Sequence, residues 1–258
     1  MSSGWHAEAA VSCSTADYKG TYGFYSSGYL IQLPGPLASL SGRFVQAGTF
    51  TSDGKGTAKI QSMASYNGQI QPFDATASYT VKPDCTLTFN LTLPAPLNLP
   101  ATLEAVLSQN NGQMTAMVTN PTGTTILSTH VKQLINSCST SDVKGAYVID
   151  LEGASPALGS NPPGPFRRAG KFIADGAGKF TMSSLANYSG QLTQETSNGT
   201  YSVDSSCNLT LNYDYSAGGS STVNMSFSGA LVGSGYDAMI VSTTPGWTIS
   251  GTLKGLQQ

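Results

Sequence analysis

The segment Ala47-Gly48-Thr49-Phe50-Thr51-Ser52-Asp53-Gly54-Lys55-Gly56 returns later as Ala169-Gly170-Lys171-Phe172-Ile173-Ala174-Asp175-Gly176-Ala177-Gly178. The offset is 175 − 53 = 122, and it holds again for Gly68/Gly190, Tyr79/Tyr201, Cys85/Cys207, Met117/Met239 and Lys132/Lys254. A register kept over that length without insertion means two copies of one domain of about 120 residues, a size that buries its own core. The expected layout is a tail over 1–12, a first repeat over 13–134 and a second over 135–258. The linker Gln133 to Ser137 is too short for free movement, so the copies are expected to touch.

Within a copy the signals are those of strands. Asp53-Gly54 and Asp175-Gly176 mark tight hairpins. Leu87, Phe89, Leu91 and Leu93 alternate with Thr86, Thr88, Asn90 and Thr92, and Leu209, Leu211, Tyr213 and Tyr215 alternate in the same way. Period two means one buried and one wet face. Helical periodicity is absent. Seven or eight short strands joined as successive hairpins predict an all-β chain of two tandem antiparallel barrels, a closure that also removes exposed sheet edges. The Pro/Gly-rich loops Leu33 to Pro36 and Ser155 to Pro165 are where the copies differ most, and such loops often carry function.

Four cysteines, at 13, 85, 138 and 207, allow three pairings. Cys13–Cys85 with Cys138–Cys207 gives each copy its own bridge, and each would constrain the unfolded chain by roughly 4 kcal/mol. The alternative is four free core thiols. Bridges imply an oxidising compartment. Met1 to Ala10 shows no charged or apolar leader region, so the expectation is the mature form of a secreted or periplasmic protein. No apolar run is long enough for a membrane span.

Twelve basic and fourteen acidic residues leave a net charge of −2 with no basic cluster, which argues against nucleic acid. Only 10% of residues are charged, well under the usual quarter, and Ser, Thr, Gly and Asn supply polarity instead. That surface suits an extracellular protein or a self-associating one.

The Lys-Gly-x-Tyr opening strand (Lys19 to Tyr22, Lys144 to Tyr147), the Asp-Gly-x-Gly hairpin and the Tyr-x-Val strand before a cysteine resemble those of uncharacterised secreted bacterial β-barrel proteins. More distantly they are similar to calycin and allene-oxide-cyclase-like barrels. Gly20-Thr21-Tyr22 and Gly145-Ala146-Tyr147 resemble the lipocalin Gly-x-Trp, with Tyr replacing Trp. The resemblance implies a barrel and a range of activities, from carriers of small hydrophobes to cyclases and dirigent-type proteins. It carries over no catalytic motif.

The residues offer little chemistry. His6 falls in the tail, and His130, replaced by Thr252 in the second copy, shares a strand face with Ser128 and Lys132; it is expected at an exposed rim. No Gly-x-Ser-x-Gly elbow accompanies it. Asp53 and Asp175 belong to turns and Asp17 and Asp142 to caps. Glu104 and Glu152 lack acidic counterparts; a barrel interior could make either a general acid, but solvent exposure is expected. Gly176-Ala177-Gly178-Lys179 lacks the first Gly and the Ser/Thr of a phosphate loop, and Ser141-Asp142-Val143-Lys144 lacks its supporting motifs, so both are chance matches. No cofactor or metal, and no catalytic residue, is assigned.

Recurring aromatics suggest a lined interior: Tyr22/Tyr147, Phe44/Phe166 and Phe50/Phe172. Barrels of eight strands are either filled or hold one small molecule. These six residues, with Arg167 of the Arg167-Arg168 pair at the loop mouth for an anionic head group, are the candidate ligand-binding set. The expected function is thus a secreted, non-enzymatic binder of a small hydrophobic molecule; the alternatives are a structural or self-assembling protein and a cyclase or isomerase. Scaffold positions repeat, whereas His130, Glu104, Glu152, Arg167 and the Pro/Gly loop do not. The singular positions are where function is expected.

Overall fold

The computed structural model describes residues 12–31, 33, 35–108, 112–217 and 221–256. Each copy opens on the same local device. The Asp17 carboxylate accepts the Ser14 backbone N–H at 2.7 Å and its hydroxyl at 2.8 Å; Asp142 receives Ser139 likewise at 2.7 and 3.1 Å. Each pair closes a single 3-10 turn, Thr15–Asp17 or Thr140–Asp142, that delivers the chain into its first strand.

The first copy then forms β1 (Lys19–Leu30), β2 (Gly42–Asp53), β3 (Thr57–Tyr66), β4 (Gln69–Val81), β5 (Thr86–Thr92), β6 (Pro100–Leu107), β7 (Gln113–Asn120) and β8 (Leu127–Lys132). The second forms β9 (Lys144–Ser155), β10 (Gly164–Asp175), β11 (Lys179–Tyr188), β12 (Gln191–Val203), β13 (Asn208–Ala217), β14 (Ser221–Val232), β15 (Asp237–Ser242) and β16 (Thr248–Gly255). Neighbours in sequence pair antiparallel, and β1 closes on β8 as β9 closes on β16. Two closed eight-stranded up-and-down barrels result, in agreement with the period-two pattern.

The hairpin chemistry is visible at the turns. Asp53 Oδ1 accepts the N–H groups of Lys55 and Thr57 at 2.7 and 3.0 Å, and Asp175 Oδ1 those of Ala177 and Lys179 at 2.7 and 2.9 Å. These backbone donors hold both carboxyls below their usual pKa. Gly54 and Gly176 follow at φ 72° and 78°, the left-handed region that glycine enters without steric cost. Disulfides Cys13–Cys85 and Cys138–Cys207, each with Cα atoms 4.9 Å apart, tie the entering segment to the β4–β5 or β12–β13 turn. One end of each barrel is thereby crossed and closed.

Alternation fails where the barrels meet. From Phe44 to Phe50 every residue of β2 is buried, because its outer face lies against the second barrel. Val45 and Ala47 pack there with Val241. The Gly246 N–H donates to the Gly68 carbonyl at 2.8 Å, and the Ser65 hydroxyl donates to the Trp247 carbonyl at 3.1 Å. Glu152 sits at the same seam. It accepts Ser27 Oγ at 3.3 Å and pairs with Arg43 at 3.6 Å and Arg167 at 2.6 Å.

Candidate functional site

The crossed end of the first barrel is sealed by rings. Tyr18 lies 4.6 Å from Tyr22, 5.4 Å from Tyr79, 5.7 Å from Phe89 and 5.8 Å from Phe50. The hydroxyls of Ser52 and Tyr79 both reach the Tyr18 carbonyl, which fixes the plug to the strands. At the other end, Leu33 from the β1–β2 connection and Leu93, Leu97 and Leu99 from the β5–β6 connection close over the interior. Between plug and cover lies a void.

That void measures about 80 Å³, counted as space open to the centres of water-sized molecules. Widening a compact shape of that size by one water radius gives roughly 280 Å³ of molecular space, at the small end of ligand pockets. Since an apolar cavity of about 150 Å³ accepts a benzene ring, this one accommodates on the order of ten heavy atoms. Its walls are apolar (Phe24, Phe44, Phe73, Met114 and Ile126 among them), apart from Thr124 and one group: Ser26, Gln46, Ser128 and His130.

His130 corrects the sequence reading. It is not at a wet rim: it is 3% exposed, stacked on Phe24 at a ring separation of 5.1 Å and edge-on to Phe50 at 5.3 Å. Its Nε2 lies 2.9 Å from Ser128 Oγ, which also accepts the Ser26 hydroxyl at 2.9 Å. Nδ1 is buried and has no hydrogen-bond partner. Burial alone pushes the imidazole pKa down to about 3, so the ring is neutral at any ordinary pH. The polar face of β8 is an inner face, and its apolar Leu127 points out.

The second barrel has the same plan with different contents. Offset by 122, Gln46, Phe73, Leu91 and Leu93 become Arg168, Glu195, Tyr213 and Tyr215. Arg168 and Glu195, 3% and 8% exposed, form a buried ion pair through Arg168 Nη2 and Glu195 Oε2. Arg168 Nη1 donates to Tyr213 Oη at 2.7 Å, while Glu195 Oε1 accepts the hydroxyls of Tyr188 and Tyr215 at 2.9 and 2.8 Å. Burial opposes the charge on Arg168, but Tyr213, Glu195 and Tyr188 outweigh it and raise its pKa, while burial raises those of Tyr188, Tyr213 and Tyr215. Trp247 caps the cluster, edge-on to Phe166 and Tyr215. No space for a water-sized molecule is left there.

The candidate residues are therefore divided. Phe44 and Phe50 line the void, and Tyr22 belongs to the plug beneath it. Phe166 flanks Arg168 in the filled barrel, with the guanidinium 5.5 Å above its ring, and Tyr147 packs edge-on to Phe172 at 6.0 Å. Arg167 points outward, 67% exposed, to Glu152 at the seam. Arg168, its neighbour in the pair, is the inward member. Glu104 is on the outer surface, where Thr88 Oγ1 donates to its Oε2 at 3.0 Å. The sequence reading missed Glu195 entirely, although its counterpart Phe73 is an obvious interior residue. Among the described residues no group of His, Cys, Asp and Glu could hold a metal ion.

No family model and no curated protein matches the chain. Among solved structures it is similar to transferrin binding protein B, isotype 1, from serogroup B Neisseria meningitidis: 6% identity over 92% of this chain and 76% of that one, with a TM-score of 0.35. It is also similar to CghA, at 10% identity over 92% of this chain and 88% of that one, with a TM-score of 0.27. At these scores neither likeness bears on function, which has to be argued from the interiors.

Proposed function

We propose that the first barrel binds one small apolar molecule and that the second is a filled partner that supports it, in a protein of an extracellular or periplasmic compartment. One observation carries this reading. At equivalent interior positions one barrel has Gln46, Phe73, Leu91 and Leu93 around a void, and the other has an ion pair and two tyrosines filling it. The two disulfides accord with an oxidising location. Most of the wall is apolar, so a ligand gains dispersion contacts along it. On the order of ten heavy atoms at roughly 0.6 kcal/mol each give a dissociation constant in the tens of micromolar.

The test is native mass spectrometry and calorimetry of the full chain with naphthalene-sized apolar compounds. One ligand per chain is expected. A Leu91→Tyr, Leu93→Tyr variant, carrying the second barrel's residues at those positions, is expected to lose binding while remaining folded. Two ligands per chain, or unchanged affinity in that variant, would place the site elsewhere.

A further inference from the structure

We propose that the ligand of the first barrel carries one hydroxyl group, which donates a hydrogen bond to Nδ1 of His130. This rests on the binding-site reading above and narrows its ligand from apolar molecules in general to small alcohols or phenols of about ten heavy atoms.

The argument is an accounting of protons. Ser26 donates its hydroxyl to Ser128 Oγ at 2.9 Å. Ser128 has a single proton of its own, and the Tyr25 carbonyl, 3.3 Å away, can only accept it. With that proton on the Tyr25 carbonyl, His130 Nε2 at 2.9 Å supplies the proton of the remaining contact; were it given to Nε2 instead, Nδ1 would carry the hydrogen, an alternative the nitrogen-15 spectra below distinguish. The neutral ring then carries its hydrogen on Nε2, and Nδ1 is a bare lone pair. That lone pair is buried, has no protein partner, and belongs to a ring lining the void.

A buried acceptor without a donor costs free energy and is rare in native proteins. Here the vacancy is a donor, which excludes ethers, esters, ketones and ionised carboxylates as the matching group. The neighbours Phe24 and Phe50 offer ring faces and edges and no proton. Gln46, the other long polar residue of the wall, commits its amide nitrogen to Ser62 Oγ at 2.8 Å. A methoxy group at the same place brings no proton and leaves the vacancy unfilled.

The experiment compares 2-naphthol with 2-methoxynaphthalene, using calorimetry on the full chain and on a His130→Phe variant. The aromatic replacement preserves ring volume, and Ser128 keeps Ser26 and the Tyr25 carbonyl as partners. The ratio of the two affinities is expected to favour 2-naphthol about tenfold more in the parent than in the variant. An equal ratio in both proteins overturns the hydroxyl inference and leaves the binding site standing. Binding of neither compound to the parent overturns the site itself. Should the variant fail to fold, nitrogen-15 spectra of the parent's imidazoles decide the matter. Nδ1 is expected to be unprotonated in the free protein and to shift with 2-naphthol but not with 2-methoxynaphthalene. A protonated Nδ1, or one that ignores bound 2-naphthol, refutes the proposal.

Discussion

Replacing Arg168 by Gln, the residue at the equivalent place in the first barrel, strips the counter-charge from a carboxylate that is 8% exposed. Glu195 would keep the hydroxyls of Tyr188 and Tyr215 at 2.9 and 2.8 Å but nothing positive. Breaking a buried ion pair from one side costs about 3–5 kcal/mol, most of it the uncompensated charge. For a domain of this size that is a fall of roughly 10–20 °C in Tm. Glu195→Phe, the mirror change, strands the guanidinium and is expected to cost a similar amount. The double variant removes both charges together. Its loss should be near 3 kcal/mol, the hydrogen bonds of Tyr188, Tyr213 and Tyr215 at about 1 kcal/mol each. The double variant would thus cost no more than a single one and far less than the sum of the two. Urea denaturation followed through Trp247 measures this locally, since its ring meets Phe166 and Tyr215 edge-on; the other tryptophan, Trp5, lies outside the described residues. Single variants costing less than 1 kcal/mol would put the pair on a par with surface ion pairs and refute its place as an interior plug. So would a double loss equal to the sum of the singles.

Two further outcomes can be checked. His130 has its pKa pushed down to about 3 by burial among Phe24, Phe50 and Ser128, so the unfolded chain takes up that proton first. Its contribution to stability is full above pH 6.5 and is lost at about 1.4 kcal/mol per unit as pH falls toward 3; urea unfolding at pH 7 and pH 5 should differ by about 2 kcal/mol, and His130→Phe should abolish the step. At Gly48 a Cβ would meet the Gln61 carbonyl oxygen at 2.2 Å and Ser62 Cα at 2.5 Å, both backbone atoms of the paired strand. Gly48→Ala is therefore expected to cost about 1–3 kcal/mol, as is Gly170→Ala at the repeated position, and thermal melts unchanged by either would contradict the strand approach.

The barrels themselves were legible because two signals agree along the chain: period two in β5 and β13, and turn chemistry at Asp53-Gly54 and Asp175-Gly176. β2 was less so, since Val45 and Ala47 are buried by the other barrel and one strand's alternation does not encode a neighbour. The inward aim of Arg168 is legible in the sequence: it shares parity with Phe166 and Phe172, so the strand that turns those rings inward also turns the guanidinium inward. Its partner needed more than parity. Glu195 is reached across β11, where Arg168 faces Ala186 and Ala186 faces Thr193, and that register exists only once three strands are aligned. His130 failed for a chemical reason. A run of Ser, His and Lys on one face reads as wet, but Ser26, Ser128 and His130 satisfy most of one another's hydrogen bonds and can sit inside.

Divergence between the copies is informative only when it is read through the inner face. Glu104 and Arg167 both lack counterparts, yet one meets Thr88 on the surface and the other braces the seam through Glu152. Either can vary without altering an interior. His130 also lacks a counterpart, and it lines the void. The exchanges at 46/168, 73/195, 91/213 and 93/215 fall on inward positions and change volume and polarity together, adding two phenol rings and an ion pair on one side only. A core under packing constraint alone would drift toward equal filling in both copies, because voids lose contacts without return. One barrel filled around an ion pair, beside another left open around a histidine with an unmet acceptor, accords with the proposal that one interior serves stability and the other a ligand.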